Sequence, residues 1–306
     1  MKLNQTKNET WKQVIRNRDI YIILLPTILY FLIFKYVPMF GNVIAFQDYS
    51  ITKGIWKSEF VGLENFKDFL SDYYFFRLLR NTLSINILNL IFSFPLPIIF
   101  AILINEIKNM RFKKAVQTIT YMPHFISTVV VCSMVLTFVS SNGMLNSIRS
   151  LMGLEKISFM TNPSYFYPVY IISGIWQSFG WSSIIYVASM ASIDQELYEA
   201  ASIDGAGRFQ KMMSITLPCL LPTIMIQLIL NIGKMLSIGF EKVMLLYNPS
   251  IYETADVIST YVYRKGLLEG EFGFSTAVSM FNSIINFILV VTSNKISKKL
   301  SGSSLW

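Results

Sequence analysis

The sequence predicts an all-α membrane protein. Three observations carry this. Hydrophobic residues make up 53% of the 306 positions, charged residues only 14%, and mean hydropathy is +0.48, whereas a soluble domain has about a quarter of its residues charged. Apolar runs long enough to cross a bilayer, which takes ~20 helical residues, alternate with polar stretches. The Lys and Arg residues behind the net charge of +8 segregate by stretch and do not build the single basic face of a nucleic-acid binder.

Residues 1–19 form a polar arm with Lys2, Lys7, Lys12, Arg16 and Arg18. Span one follows at about Ile20–Phe46; no small-x-small cleavage site closes it, so it is expected to remain part of the chain. Asp48–Phe76 is a polar, aromatic-rich loop. Span two covers Leu79–Ile104. The basic loop Lys108–Lys114 leads to span three, Thr118–Val139. After the loop Ser140–Ser164, span four covers Phe166–Ala191. Residues 193–216 form a polar inner loop, and span five runs from Leu217 to about Ile238. Gly239–Gly273 is a loop, Ser275–Ile296 is span six, and residues 297–306 are a basic tail. Cys132 and Cys219 sit in different apolar segments and read as small buried hydrophobes.

Charge predicts the orientation. Residues 1–19, 105–117, 193–216 and 295–306 hold fourteen Lys and Arg; residues 47–78, 140–165 and 239–273 hold nine basic and eleven acidic residues. The side richer in Lys and Arg is expected to be cytoplasmic. Both termini then lie inside, which six spans satisfy.

The stretch Tyr198–Pro218, YEAASIDGAGRFQKMMSITLP, organises the second half. Glu199, Ala200 and Ala201 suit a short helix with Asp204 one turn on, and the two alanines leave a flat surface. Gly205 and Gly207 allow positive φ and end that helix. Leu217-Pro218 suits the first turn of a new helix. A docking knob is one reading; an ordinary loop with a capped helix is the other.

No phosphate-binding G-x-x-x-x-G-K-[ST], H-E-x-x-H or G-x-S-x-G occurs, no acidic pair sits mid-span, and His124 reads as a helix-start residue. Enzyme chemistry has no foothold here, and no cofactor is expected on this chain. Polar residues do recur at helical spacing within spans: Ser275, Ser279, Asn282 and Asn286; Asn231, Lys234, Ser237 and Glu241; Asn86, Asn89 and Ser93; Gln177 and Trp181. Such stripes face other helices or a watery path. Interhelical hydrogen bonding and a substrate path both remain open for most of them. Lys234 tips the span-five stripe towards a path, and an indole such as Trp181 suits the C–H face of a sugar ring.

Glu199-Ala200-Ala201, Asp204-Gly205-Ala206 and Ile215-Thr216-Leu217-Pro218 resemble the EAA loop of permease subunits of binding-protein-dependent ABC importers, with no departure from the motif. Phe34-Lys35-Tyr36-Val37-Pro38-Met39 with Ala45-Phe46-Gln47-Asp48-Tyr49 is similar to the first span of the polysaccharide-type branch of the carbohydrate importers. Leu79-Arg80-Asn81-Thr82-Leu83 resembles its second span. Asn105-Glu106-Ile107, Arg111-Phe112-Lys113-Lys114 and Tyr121-Met122-Pro123-His124-Phe125 resemble its first inner loop and third span. The resemblance implies a six-helix type I ABC importer permease fold in the bacterial cytoplasmic membrane, with the EAA loop as coupling helix. It implies a second permease subunit, two ATPase subunits that bind ATP and magnesium, an extracytoplasmic sugar-binding protein, and an oligosaccharide substrate, often an acidic one. From the mid-span position of Lys234, the substrate is expected to be acidic. A stand-alone secondary transporter or channel is the runner-up; its mid-span coupling carboxylates are not evident.

Overall fold

The computed structural model describes residues 16–302, 304 and 305; Lys2, Lys7 and Lys12 of the N-terminal arm lie outside the described residues. Among the described residues the regular structure is helical apart from one short hairpin. In order it forms α1 (Arg18–Phe46), β1 (Gln47–Asp48) and β2 (Glu59–Phe60), α2 (Glu64–Ser71), α3 (Phe75–Asn105), α4 (Met110–Tyr121), α5 (Thr128–Val139) and α6 (Met144–Leu151). Then come α7 (Phe166–Ala191), α8 (Gln195–Ile203), α9 (Arg208–Ile232), α10 (Phe240–Leu246), α11 (Ile258–Tyr263) and α12 (Phe272–Ser301). The strands pair antiparallel, with Gln47 opposite Phe60 and Asp48 opposite Glu59.

Among the described residues, five segments are long and apolar enough to cross a membrane: Arg18–Phe46, Phe75–Asn105, Thr128–Leu151, Arg208–Ile232 and Phe272–Lys299. The helix α7 has 26 residues and no charged side chain, with the bounds expected for span four. Ser173, Gln177, Ser178, Ser182 and Ser183 make it less apolar than the other five.

Two spans differ from the sequence expectation. Span three is not one helix over Thr118–Val139. It breaks after α4 into a 3-10 turn at Met122–Phe125 that contains Pro123, and α5 restarts with Ser127 as N-cap, its Oγ accepting from Val130 N at 3.4 Å. Pro123 lacks the N–H that a continuous helix needs. Span five starts nine residues earlier than Leu217 and ends at Ile232, so Asn231, Lys234, Ser237 and Glu241 do not share one helical stripe. Gly233–Gly239 is irregular, and Glu241 belongs to α10. The three polar loops are also more ordered than the sequence suggests, carrying the hairpin, α2, α6, α10 and α11.

Prolines shape the long helices in a second way. The π turns Leu32–Tyr36, Asn89–Ser93 and Met212–Thr216 each end one residue before the dipeptide Val37-Pro38, Phe94-Pro95 or Leu217-Pro218. In each, an N–H reaches five residues back: Val37 to Leu32, Phe94 to Asn89, Leu217 to Met212. A proline ring clashes with the carbonyl four residues before it, and the wider turn relieves that clash without ending the helix. Pro218 thus lies in the first turn of the α-helical segment Leu217–Ile232, but the helix continues behind it to Arg208.

Three apolar clusters follow one another along α3. Leu78 packs with Phe69, Ile258, Tyr261 and Val278. Ile85 belongs to the largest cluster, with Cys132, Phe166, Tyr170, Ile238 and Val243. Ala101 packs with Tyr186, Met190, Ile193 and Leu220. At 1.5 Å per residue, Leu78 and Ala101 are about 35 Å apart along the axis, so α3 spans the core end to end. The described residues Arg18–Phe31 of α1 include no buried side chain; only its end, Phe40–Phe46, packs on α12.

A buried charge fixes the segment before α11. Asp256 is 0% exposed and meets Arg264 at 2.7 Å and Arg77 at 3.2 Å. Asn81 donates to the carbonyls of Glu253 and Asp256, both at 2.9 Å, and the Tyr261 hydroxyl donates to Asp72. Nearby, Lys265 meets Glu269 at 2.7 Å; that hydrogen bond raises its pKa and keeps the ammonium charged. Removing one partner of a buried ion pair strands the other, at about 3–5 kcal/mol. Asp256→Ala should therefore destabilise the detergent-solubilised protein by about that amount. An unchanged melting temperature would show that the node carries no stability.

Candidate functional site

The π turn Asn89–Ser93 sits beside a cavity of about 730 Å³. Its polar lining comes from Asn86, Asn89 and Ser93 on α3, Ser178, Trp181 and Ser182 on α7, and Gln227, Asn231, Lys234 and Ser237 on or just after α9. Lys234 is the only charged residue among those lining it, and no carboxylate pairs with it among the described residues. It follows the C-terminus of α9, where a cation is favoured by the helix dipole. Trp181 is 41% exposed. One face is stacked on His124, with ring centroids 4.6 Å apart and planes 5° from parallel.

The break after α9 lines this cavity, the break in span three lies behind Trp181 through the His124 stack, and neighbouring amide side chains satisfy both. Gln177 Nε2 donates to the Ile126 carbonyl at 3.1 Å, a group that the break in span three releases. Asn282 Nδ2 donates to the Leu236 carbonyl at 2.9 Å, Leu236 N–H donates to Asn286 Oδ1 at 3.0 Å, and Asn286 Nδ2 donates to Ser237 Oγ at 2.9 Å. The irregular segment after α9 is therefore stitched to α12 at both its donors and acceptors. Gly233 permits the approach, because a Cβ there would lie 2.1 Å from Val290 Cγ2.

Of the side chains singled out for a substrate path, Trp181, Asn231, Lys234 and Ser237 come together at the cavity, as do Asn86, Asn89 and Ser93. Gln177, Asn282 and Asn286 hold backbone at the breaks, and Glu241 is exposed in the first turn of α10. Lys242 was not singled out. Its Nζ donates to the Tyr170 carbonyl at 2.8 Å and lies 4.6 Å from that ring's centroid, behind the cavity wall that Tyr170 helps form. Only a tertiary contact reveals this role, since by sequence it belongs to a loop.

The loop 193–216 is a second ordered site. Asp194 caps α8, accepting from Glu196 N at 3.0 Å. Gly205 has φ +78°, and Ala206 N–H returns to the Ala201 carbonyl at 2.9 Å, a glycine-dependent helix end. Tyr198 and Thr216 share a hydroxyl hydrogen bond of 2.9 Å, and Lys211 Nζ donates to Ser202 Oγ at 2.5 Å. The short helix is thereby locked to the start of α9. Glu199, Ala200 and Asp204 are exposed, while Ala201, Ala206 and Leu217 are partly buried. Beside them Ile203 is 87% and Phe209 72% exposed, an apolar pair that the sequence reading passed over. Their place next to the glycine turn was the available signal.

Residues 73–300 match the family described as the binding-protein-dependent transport system inner membrane component. The chain belongs to this family. It is 45% identical to Protein LplB of Bacillus subtilis (strain 168) over 307 aligned positions, covering 99% of this chain and 96% of that protein. It is also 45% identical to the polygalacturonan/rhamnogalacturonan transport system permease protein YteP of the same organism, covering 96% and 92%. A solved chain of a bacterial alginate ABC transporter, in complex with an alginate pentasaccharide-bound periplasmic protein, superposes with a TM-score of 0.88 at 43% identity, covering 96% of this chain and 99% of that one. This is a permease subunit of an ABC transporter, and its fold is that of the family.

Proposed function

We propose that this permease moves acidic oligosaccharides into the cytoplasm, working with a second permease subunit, two ATPase subunits and an extracytoplasmic sugar-binding protein. The observation that carries the reading is the cavity lining: neutral hydrogen-bonding side chains, several aromatic rings with Trp181 among them, one cation and no carboxylate. Hydroxyl and amide groups suit sugar hydroxyls, the Trp181 face suits a pyranose, and Lys234 suits a carboxylate. The permease YteP is named for polygalacturonan/rhamnogalacturonan transport and the solved relative for alginate; both are acidic glycans, which supports the same class here.

In this reading α8 with Glu199, Ala200, Ala201, Asp204, Gly205 and Ala206 docks on an ATPase subunit, and Ile203 and Phe209 add apolar contact. ATP and magnesium act on that partner. Closure of the ATPase pair draws the docking helices together. The 25 residues of α9, about 37 Å long, carry the movement to Asn231 and Lys234, and the cavity alternates between outward and inward access. The proposed topology takes α7 as a sixth span beside the five apolar segments. Residues 1–19, 193–216 and 297–306 then lie in the cytoplasm, and the β1–β2 hairpin lies outside.

Three outcomes test this. A charge-assisted hydrogen bond is worth about 1.5–3 kcal/mol, so Lys234→Met should lower affinity for an oligogalacturonide roughly ten- to hundredfold while sparing assembly with the ATPase; wild-type uptake by this variant would remove the cation from the mechanism. Proline cannot adopt the positive φ of Gly205, so Gly205→Pro should abolish sugar-stimulated ATP hydrolysis in an inserted, folded protein. Normal stimulation in the reconstituted variant would contradict the docking role. Lys57 and Glu253 positions carrying single labels should react from outside intact cells and position 110 only after permeabilisation; the reverse pattern would invert the topology.

A further inference from the structure

We propose that Lys242 is a positioning residue: it pins the irregular segment after α9 to α7 and so sets where Lys234 stands in the central cavity. This rests on the reading of that cavity as the sugar path. Four residues of the segment, Lys234, Ser237, Ile238 and Gly239, line the cavity. Side chains on irregular backbone hold a site only when the backbone itself is tied down. One tie is the pair Asn282 and Asn286, which hold Leu236 and Ser237 to α12. The other comes three residues past Gly239, where Lys242 reaches across to α7. Its Nζ donates to the Tyr170 carbonyl at 2.8 Å and stands 4.6 Å from the Tyr170 ring centroid.

The receiving surface of α7 is shaped for the ammonium. Gly174, one turn on from Tyr170, leaves a notch. A Cβ there would meet Lys242 Nζ at 3.0 Å and, beyond its own helix, nothing else among the described residues within 4 Å. The same ring is held at its hydroxyl end, since a Cβ at Gly239 would lie 3.8 Å from Tyr170 Oη. Tyr170, 6% exposed, is part of the cavity wall. It is thus gripped at two points, Gly239 and Lys242, of one stretch of chain. The surroundings are apolar, with Ile171, Ile238, Val243 and Leu246 in the same cluster. No carboxylate pairs with Lys242 among the described residues. Methionine would fill the same space without the cost of desolvating an ammonium, so packing alone does not call for a cation. What the ammonium adds is direction: a hydrogen bond to a fixed carbonyl and a contact with a ring face, both on α7. Without it, apolar packing would hold the segment on the α7 side, and apolar packing is non-directional. Lys234 would then lose its fixed place in the lining.

The test is a double-mutant cycle in proteoliposomes holding the whole complex, read as initial uptake of radiolabelled oligogalacturonide at saturating ATP and binding protein. Lys242→Met should lower uptake about tenfold in the wild-type background and less than about twofold in the Lys234→Met background, because a residue that works through another loses its effect when the other is gone. Gly174→Val fills the notch and leaves the lysine in the chain. It should repeat both results, and it decides the matter if Lys242→Met does not assemble with the ATPase. Adding Lys242→Met to Gly174→Val should cost no further uptake. Wild-type uptake by either assembled variant would overturn the proposal. So would an equal fold-loss in the two backgrounds, the mark of a merely structural lysine. In both cases a loss on Lys234→Met alone keeps the functional reading. Wild-type uptake by Lys234→Met would overturn both.

Discussion

A backbone group released inside the apolar part of a membrane must find a partner in the protein. In hydrocarbon an unpaired amide costs several kcal/mol, so a broken helix survives only where something answers the break. Here the answer is repeatedly an amide side chain. Gln177 answers the carbonyl of Ile126. Asn282 and Asn286 answer both backbone groups of Leu236. Asn81 answers the carbonyls of Glu253 and Asp256. Asn and Gln supply a donor and an acceptor without carrying charge, so they match a freed peptide without adding the desolvation cost of an ion. The break after α9 places Lys234 and Ser237 in the cavity lining, and the break in span three lies behind the Trp181 that lines it.

This constraint also explains what the sequence disclosed. Hydropathy located the long helices, because lipid demands runs of apolar residues; α7 was placed to the residue, Phe166–Ala191. The glycine at 205 was legible because a tight helix end needs positive φ. The breaks at Ile126 and Gly233 were not legible. A proline such as Pro123 can end a helix, kink it or sit behind a π turn, and the sequence around it looks apolar in each case. Nor could spacing separate the side chains that face the cavity from those that hold a break. Asn231 and Asn286 are the same residue type in the same polar pattern. One lines the cavity and the other binds a peptide on the neighbouring segment, and only the packing of α9 against α12 decides between them.

The distribution of charge follows the same logic. Lys234 faces a roomy, polar space at a helix C-terminus, where water and the helix dipole both favour it. Lys242 is tucked against the Tyr170 ring and carbonyl, where a carbonyl and a π face take the place of solvent. Asp256 has neither water nor room, and two guanidinium groups surround it. Each of these three ionised groups therefore has a partner suited to its surroundings: water and a helix dipole, a carbonyl and a ring, or two guanidinium groups. That leaves Lys234 as the one cation in the central cavity's lining.

The π turn at Met212–Thr216 has a genetic corollary. It holds one residue more than an α-helical turn would, and one residue on an α-helix corresponds to about 100° of rotation and 1.5 Å of rise. The chain between the glycine turn and the cavity therefore has a phase as well as a length. A single-residue deletion in these five positions could close into regular α-helix locally, with good hydrogen bonds throughout. It would leave Phe209 and the glycine turn in nearly the same phase relative to Asn231, because the wide turn already packs its extra residue into about one revolution. The same deletion in the regular helix on either side would swing the two ends about a third of a revolution, so the wide turn marks the place where this helix best tolerates a change in length.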